Sequence, residues 1–299
     1  VESSPVLVVG GTGYLGSQVV TALLDRGRQV RALVRPGSDA ARLEAAGVEI
    51  ARGDMMDPGS LVRAMGDVDA VVTTAAGYTG HSQGDTSEID VVGNRNLVDS
   101  AAQVGVRRFV LTSILTCDQT PQIPHFWHKK LAEDRLEDKH VSFVALRPGA
   151  LLDQAARFGG DPFARGSLSW LGSASVPLTF VLSTDLASYL AAAVDADIAA
   201  GERIDIGWDR PVSIQDVAEI SSRLLGRQIG VGPRPTGMGA AEAPGGVVPV
   251  SDDMAAMLEW FETGRYVADT TRQGEVFGTP TAEDAIGRFI TSLGHPVHG

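Results

Sequence analysis

Three groups of residues in this 299-residue chain could do chemistry together. The first is Gly10, Gly13 and Gly16 in VVGGTGYLG, at G-x-x-G-x-x-G spacing. Glycines so placed permit a tight turn and let backbone N–H groups approach a pyrophosphate. The second is HFWHKK, residues 125–130, where two of the chain's three lysines, Lys129 and Lys130, stand side by side between His125 and His140. The third is a series of short stretches that each follow an apolar run. These are Arg35 in LVRP, Asp54 and Met55 in GDMMD, Ala75, Ala76 and Gly77 in TTAAGY, Thr112 and Ser113 in VLTS, and Pro148, Gly149 and Ala150 in LRPGA.

The elements that must position these groups alternate. Short β-branched runs near 5–9, 29–34, 48–51, 70–74, 108–112 and 142–146 read as strands. Between them, apolar residues at 3–4 spacing predict helices over 14–26, 38–46, 60–65, 88–104 and 128–139. Gly27, Gly47 and Gly105 stand where helices should stop. Strict alternation implies parallel strands with right-handed crossovers, covered by helices on both faces. The expected fold is therefore α/β, a Rossmann-type doubly wound parallel sheet with a smaller C-terminal α/β substrate lobe. Residues 1–150 form the core, completed by about 176–208, and 151–175 with 209–299 form the lobe. The lobe shows a strand near 176–182, helices over 185–194, 214–225, 254–261 and 282–293, and a Gly/Pro/Ala-rich stretch at 233–249.

The glycine pattern follows a strand and opens a helix, as a dinucleotide site requires. Gly10, Thr12, Gly13, Tyr14, Leu15 and Gly16 should surround the pyrophosphate, with the helix N-terminus facing its charge. NAD-selective sites place an acid at the end of the second strand. Here that position holds Arg35, whose guanidinium suits a 2′-phosphate, and no acid competes before Asp39. NADP(H) is the expected cofactor, with NAD(H) second. Asp54 could accept from an adenine amino group while Met55 lies against the ring. Asp57 is the better placed cap for the following helix. Small residues at Ala75, Ala76 and Gly77 leave room for ribose and nicotinamide.

With Gly10–Gly16, LVRP, GDMMD, AAG, VLTS, Lys130 and LRPG on the page, the sequence resembles the short-chain dehydrogenase/reductase superfamily. More narrowly it is similar to the atypical NmrA-like branch, which holds isoflavone-reductase-like and quinone-reductase-like proteins. The resemblance spans nearly the whole chain, most strongly the first 150 residues, and its weaker C-terminal part is FGTPTAEDAIGRFI. It implies NAD(P)H binding and a substrate cleft under the C-terminal lobe. The main branches use a Ser–Tyr–Lys set with Tyr and Lys at Y-x-x-x-K, on one side of a helix. Ser113 fits the serine and Lys130 the lysine, which should also grip the nicotinamide ribose. Phe126 then stands in place of the tyrosine. Other proton donors are His128, His125 and Tyr78. Lys129 should point about 100° away from Lys130, into solvent. Thr112, Pro148, Gly149 and Ala150 are further cofactor contacts, and Arg147 a structural ion pair. The resemblance implies an NADPH-dependent reductase of a small apolar carbonyl, enone or quinone compound. The alternative is a non-catalytic NADP(H)-binding redox sensor. A nucleotide-sugar epimerase or dehydratase would need the missing tyrosine.

Substrate contacts are expected from Phe126, Phe158 and Trp170, with Trp208, Trp260, Phe261 and Tyr266 as further wall or core aromatics. The formal charge of −12 argues against nucleic acid or an anionic membrane as partner. One cysteine, Cys117, excludes an internal disulfide and a Cys-rich metal site, and no H-x-x-x-H pattern occurs. No run approaches the ~20 apolar residues of a membrane helix. A cytoplasmic monomer or homodimer with a small-molecule substrate is the expectation.

Overall fold

The computed structural model describes residues 4–77, 87–154, 156, 160–233 and 251–298. The chain divides into two compact units, residues 1–147 with 184–204 and residues 148–183 with 205–299. The expected α/β class is found, with a seven-stranded central sheet.

In the first unit the chain runs β1 (Val6–Val9), α1 (Tyr14–Asp25), β2 (Val30–Val34), α2 (Ala41–Ala45), β3 (Glu49–Arg52), α3 (Pro58–Met65) and β4 (Ala70–Thr73). A π turn (Glu88–Gly93) leads into α4 (Asn94–Val104), followed by β5 (Arg108–Thr112), α5 (Pro124–Asp138) and β6 (Phe143–Pro148). After α7 (Ser183–Ala192) the strand β10 (Glu202–Ile206) closes the sheet, whose order is β10-β6-β5-β4-β1-β2-β3. Neighbours from β6 to β3 pair in parallel, with Val9 opposite both Leu33 and Thr73. All four β1 residues and all four β4 residues are buried, because helices cover both faces. One core cluster joins Leu7, Met65, Leu97, Phe109, Leu136 and Phe143.

Two boundaries matter for the site. Helix α5 begins at Pro124, four residues before the expected start, because proline at the first helical position lacks only an N–H that would be unpaired there. HFWHKK is therefore helical throughout. The helix expected over 88–104 opens as a π turn, which carries an extra residue and re-aims the side chains before α4.

In the second unit, β8 (Ser167–Trp170) pairs in parallel with β11 (Gly230–Pro233), and β7 (Ala150–Leu151) with β9 (Phe180–Val181). The strand expected over 176–182 shortens to β9. Helices are α6 (Pro162–Arg165), α8 (Ile214–Leu225), α9 (Asp252–Glu262), α10 (Thr271–Val276) and α11 (Ala282–Ser292). A capping box between Ser213 and Asp216 starts α8.

Candidate cofactor and active site

The glycine turn is built as its spacing predicts. Gly10 has φ +89°, a conformation that favours glycine. A Cβ on Gly16 would lie 2.0 Å from the Gly10 carbonyl oxygen, and one on Gly10 would lie 2.8 Å from Thr74 Oγ1 and 3.1 Å from Ala75 N. Turn, helix and the end of β4 are thus in contact, and only hydrogen fits between them. Gly13 caps α1 without a side-chain hydrogen bond, and no acid stands in the first turn. The first turn of α1, with Thr12 and Gly13 exposed and Tyr14 and Leu15 half-buried, makes a cradle suited to pyrophosphate.

At the end of β2, Arg35 is exposed, and its guanidinium has no hydrogen-bond or ion-pair partner among the described residues. Its loop is anchored by Arg52, whose Nη1 donates to Ser38 O at 2.7 Å and Arg35 O at 3.4 Å. Asp39 spends its carboxylate on Ala41 N at 2.9 Å, so it does not answer Arg35. Sequence reasoning missed Arg52, although a second arginine closing the neighbouring strand was a visible signal. Asp57 caps α3 as expected. Asp54 Oδ1 accepts from Met56 N at 2.9 Å, which fixes its carboxylate at the strand end. Met55 is corrected: its side chain lies in the core and packs against Gly93, leaving Met56 exposed.

Lys129, expected in solvent, is buried instead. Lys130 pairs with Asp134, one turn along the partly exposed side of α5. Lys129 is the buried one, 7% exposed, and its Nζ donates to Ala75 O at 3.1 Å. The reason is the stripe His125, Phe126, Lys129, Ala132, Glu133 and Leu136, the buried face of α5. Burial lowers the Lys129 pKa, opposed by the charge of Asp90. His125 stands four residues before Lys129 on the same buried face. His125 is 5% exposed, edge-on to Phe126 at 4.7 Å. Phe126, expected at the substrate, is a core residue at 1% exposure. His128 is half-buried, and its Nδ1 has no hydrogen-bond partner among the described residues.

Ser113 is corrected too. Its hydroxyl donates to Glu133 Oε1 at 2.6 Å. Glu133 is fully buried and also accepts from Arg147 Nε (2.9 Å) and Nη2 (2.7 Å) and from Arg203 Nε (3.0 Å). Arg147 reaches Asp118 at 2.8 Å, the structural ion pair expected of it. Burial alone would lower the Arg147 pKa; the hydrogen bonds and charge of Glu133 reverse this and leave it raised. Thr112, at the end of β5, has a buried hydroxyl without a partner among the described residues. Ala75 and Ala76 are half-buried, and Gly77 N donates to Asp90 Oδ1 at 3.0 Å.

Within the second unit, Gly149 owes its identity to packing: a Cβ there would lie 2.3 Å from Thr179 O. Ala150 N donates to the same carbonyl, and Pro148 O accepts from Tyr266 Oη at 3.4 Å. Trp170 lines a small apolar cavity with Leu151, Leu152, Leu168 and Phe289. Trp208, Trp260, Phe261 and Tyr266 are core residues. Tyr78 and Phe158 lie outside the described residues.

A protein-family model described as NAD(P)H-binding matches residues 10–196. The chain belongs to the NAD(P)H-binding family. Among characterised relatives, the photosystem II assembly factor Ycf39 of Synechocystis sp. is 27% identical over 221 residues, covering 74% of this chain and 68% of that protein. The triphenylmethane reductase of Citrobacter sp., solved with NADP(H), superposes with a TM-score of 0.74 at 20% identity, covering 95% of this chain and 99% of the other. The NADPH-dependent quinone oxidoreductase QOR2 of Escherichia coli, solved with NADPH, gives 0.74 at 19% identity with the same coverage. At such identities the structural likeness is one of fold, and it is the fold of the atypical short-chain reductases that the motifs resembled. No helix among the described residues is long and apolar enough to cross a membrane.

Proposed function

We propose that the protein is an NADPH-dependent reductase of a small apolar carbonyl, enone or quinone compound. One observation carries this reading. The Ala75 peptide is held from both sides, its N–H end against Gly10 of the phosphate-type turn and its carbonyl by the buried Lys129. A dinucleotide cradle and a buried ammonium thus meet at one strand end, where open α/β sheets bind ligands. Bound NADPH supplies a hydride. Arg35, on a loop anchored by Arg52, would take the 2′-phosphate and favour NADPH over NADH. Lys129 would hold the ribose and offset the negative charge that develops on the acceptor oxygen.

The proton donor distinguishes this site from the tyrosine-bearing branches. No tyrosine precedes Lys129 by one turn, and the Ser113 hydroxyl is committed to Glu133. A quinone or extended enone spreads the incoming charge over its conjugated system, so it depends least on a strong local acid. A triphenylmethane reductase and an NADPH-dependent quinone oxidoreductase share the fold, which supports the same reading.

A second reading, a non-catalytic NADP(H)-binding protein, is favoured by the likeness to an assembly factor. The test is NADPH oxidation with a panel of quinones, enones and aldehydes, run beside a binding titration. Turnover that falls at least tenfold in Lys129→Ala supports the reductase. Tight NADPH binding with no turnover on any acceptor supports the second reading.

A further inference from the structure

Resting on the reading of Lys129 as the cofactor-side cation, we propose that Asp90 is the buried counter-charge that holds the Lys129 ammonium in place, a positioning residue acting across the Ala75–Gly77 turn. The two side chains grip the same three residues. Lys129 Nζ donates to Ala75 O at 3.1 Å, and Asp90 Oδ1 accepts from Gly77 N at 3.0 Å. Both are withdrawn from solvent, Asp90 at 2% exposure and Lys129 at 7%.

A buried ammonium costs several kcal/mol unless an opposite charge compensates it. Among the described residues, the neighbours of Lys129 leave one candidate. Cys117 is pushed up to about 12, first by burial and then by Glu133, so its thiol is neutral at physiological pH. Glu133, one turn along the same face, is already held by two guanidinium groups and the Ser113 hydroxyl. His125, His128 and Lys130 on the same helix bring no negative charge. Asp90, on the π turn packed against α5, is the remaining carboxylate, and its attraction for Lys129 opposes the effect of burial.

The π turn explains how Asp90 gets there. Asn94 Nδ2 donates to Asp90 O at 3.0 Å, and Gly93 packs closely against Met55, where a Cβ would lie 3.2 Å from the methionine side chain. The turn is therefore fixed from both ends, and Asp90 is presented inward at a defined place. Single π turns inside helices recur at functional sites.

The chain has only three lysines, Lys129, Lys130 and Lys139, so lysine labelled with ¹³C at Cε gives three resonances. Lys130→Arg and Lys139→Arg assign them. Asp90→Asn keeps the shape and the acceptor for Gly77 N but removes the charge. The proposal expects the Lys129 resonance to titrate lower in Asp90→Asn by about one pH unit or more, with Lys130 and Lys139 unmoved. An unchanged Lys129 midpoint overturns it. Should Asp90→Asn unfold, urea denaturation of Asp90→Ser in the wild-type and Lys129→Met backgrounds gives the same answer. A smaller loss in the Lys129→Met background supports the coupling, and equal losses refute it. A parallel NADPH titration of the wild type separates the two levels: without binding the reductase reading falls, while the Asp90–Lys129 result stands by itself.

Discussion

The buried face of α5 carries two charges one turn apart, and the structure treats them in opposite ways. Glu133 accepts five hydrogen bonds, from Ser113, Cys117, Arg147 twice and Arg203. Lys129 has three N–H donors and gives one of them to a single described acceptor, Ala75 O. A charge with every lone pair engaged is scaffold: it ties α5 to β6 and to the loop after β5. A charge with donors to spare, at a strand end beside a glycine cradle, is equipped for a ligand. The comparison separates fold from function along about 6 Å of one helix.

The largest effect should fall on the saturated end. Glu133→Ala leaves Arg147 buried without its partner and should cost roughly 3–5 kcal/mol in urea denaturation. Lys129→Met removes a sparsely bonded cation and leaves Asp90 still bonded to Gly77 N, so it should cost less than Glu133→Ala. Equal losses would erase the distinction. Gly16→Ala comes next: a Cβ 2.0 Å from the Gly10 carbonyl must displace the turn. Strain of ~1–3 kcal/mol should weaken NADPH binding roughly tenfold to a hundredfold, with the fold retained by circular dichroism.

Arg35→Asp should weaken NADPH roughly tenfold or more, the worth of a charged hydrogen-bonding contact, and leave NADH nearly unchanged. Equal effects on both cofactors would remove the 2′-phosphate role. A smaller effect appears at the amino end of β4, away from Ala75. Hydrogen bonds from Arg107, and secondarily Arg28, hold the Asp69 carboxyl down at about 2 against the opposing effect of burial. Its folded pKa lies below the unfolded value, so its stabilisation is present above about pH 4 and fades as pH falls towards 2. Asp69→Asn should lower the Tm at pH 7 and have little further effect at pH 2.

Much of this was legible in the sequence because local rules sufficed. Gly10, Gly13 and Gly16 announce their turn, and the strand runs of the first unit are apolar on both faces. What failed was a rotation. Starting α5 at His128 hides the stripe His125–Lys129–Glu133, whereas starting it at Pro124 shows three polar residues at i, i+4 and i+8 among Phe126, Ala132 and Leu136. Lys130 with Asp134 four residues later is the ordinary signature of a solvent-side pair. Asp90 was illegible because a π turn has no sequence signal comparable to a cap or a glycine. Ser113 misled because its partner, Glu133, lies twenty residues away on another element. Met55 and Met56 illustrate the same limit, since two adjacent methionines carry no mark of which one enters the core.

The most direct test of the account is a fluorescence titration of NADPH into Lys129→Met and Lys130→Met, each checked for an unchanged Tm. The account predicts at least a tenfold weaker Kd for Lys129→Met, about 1.4 kcal/mol, and a Kd within about twofold of wild type for Lys130→Met. The reverse pattern, or equal effects from both, would contradict it.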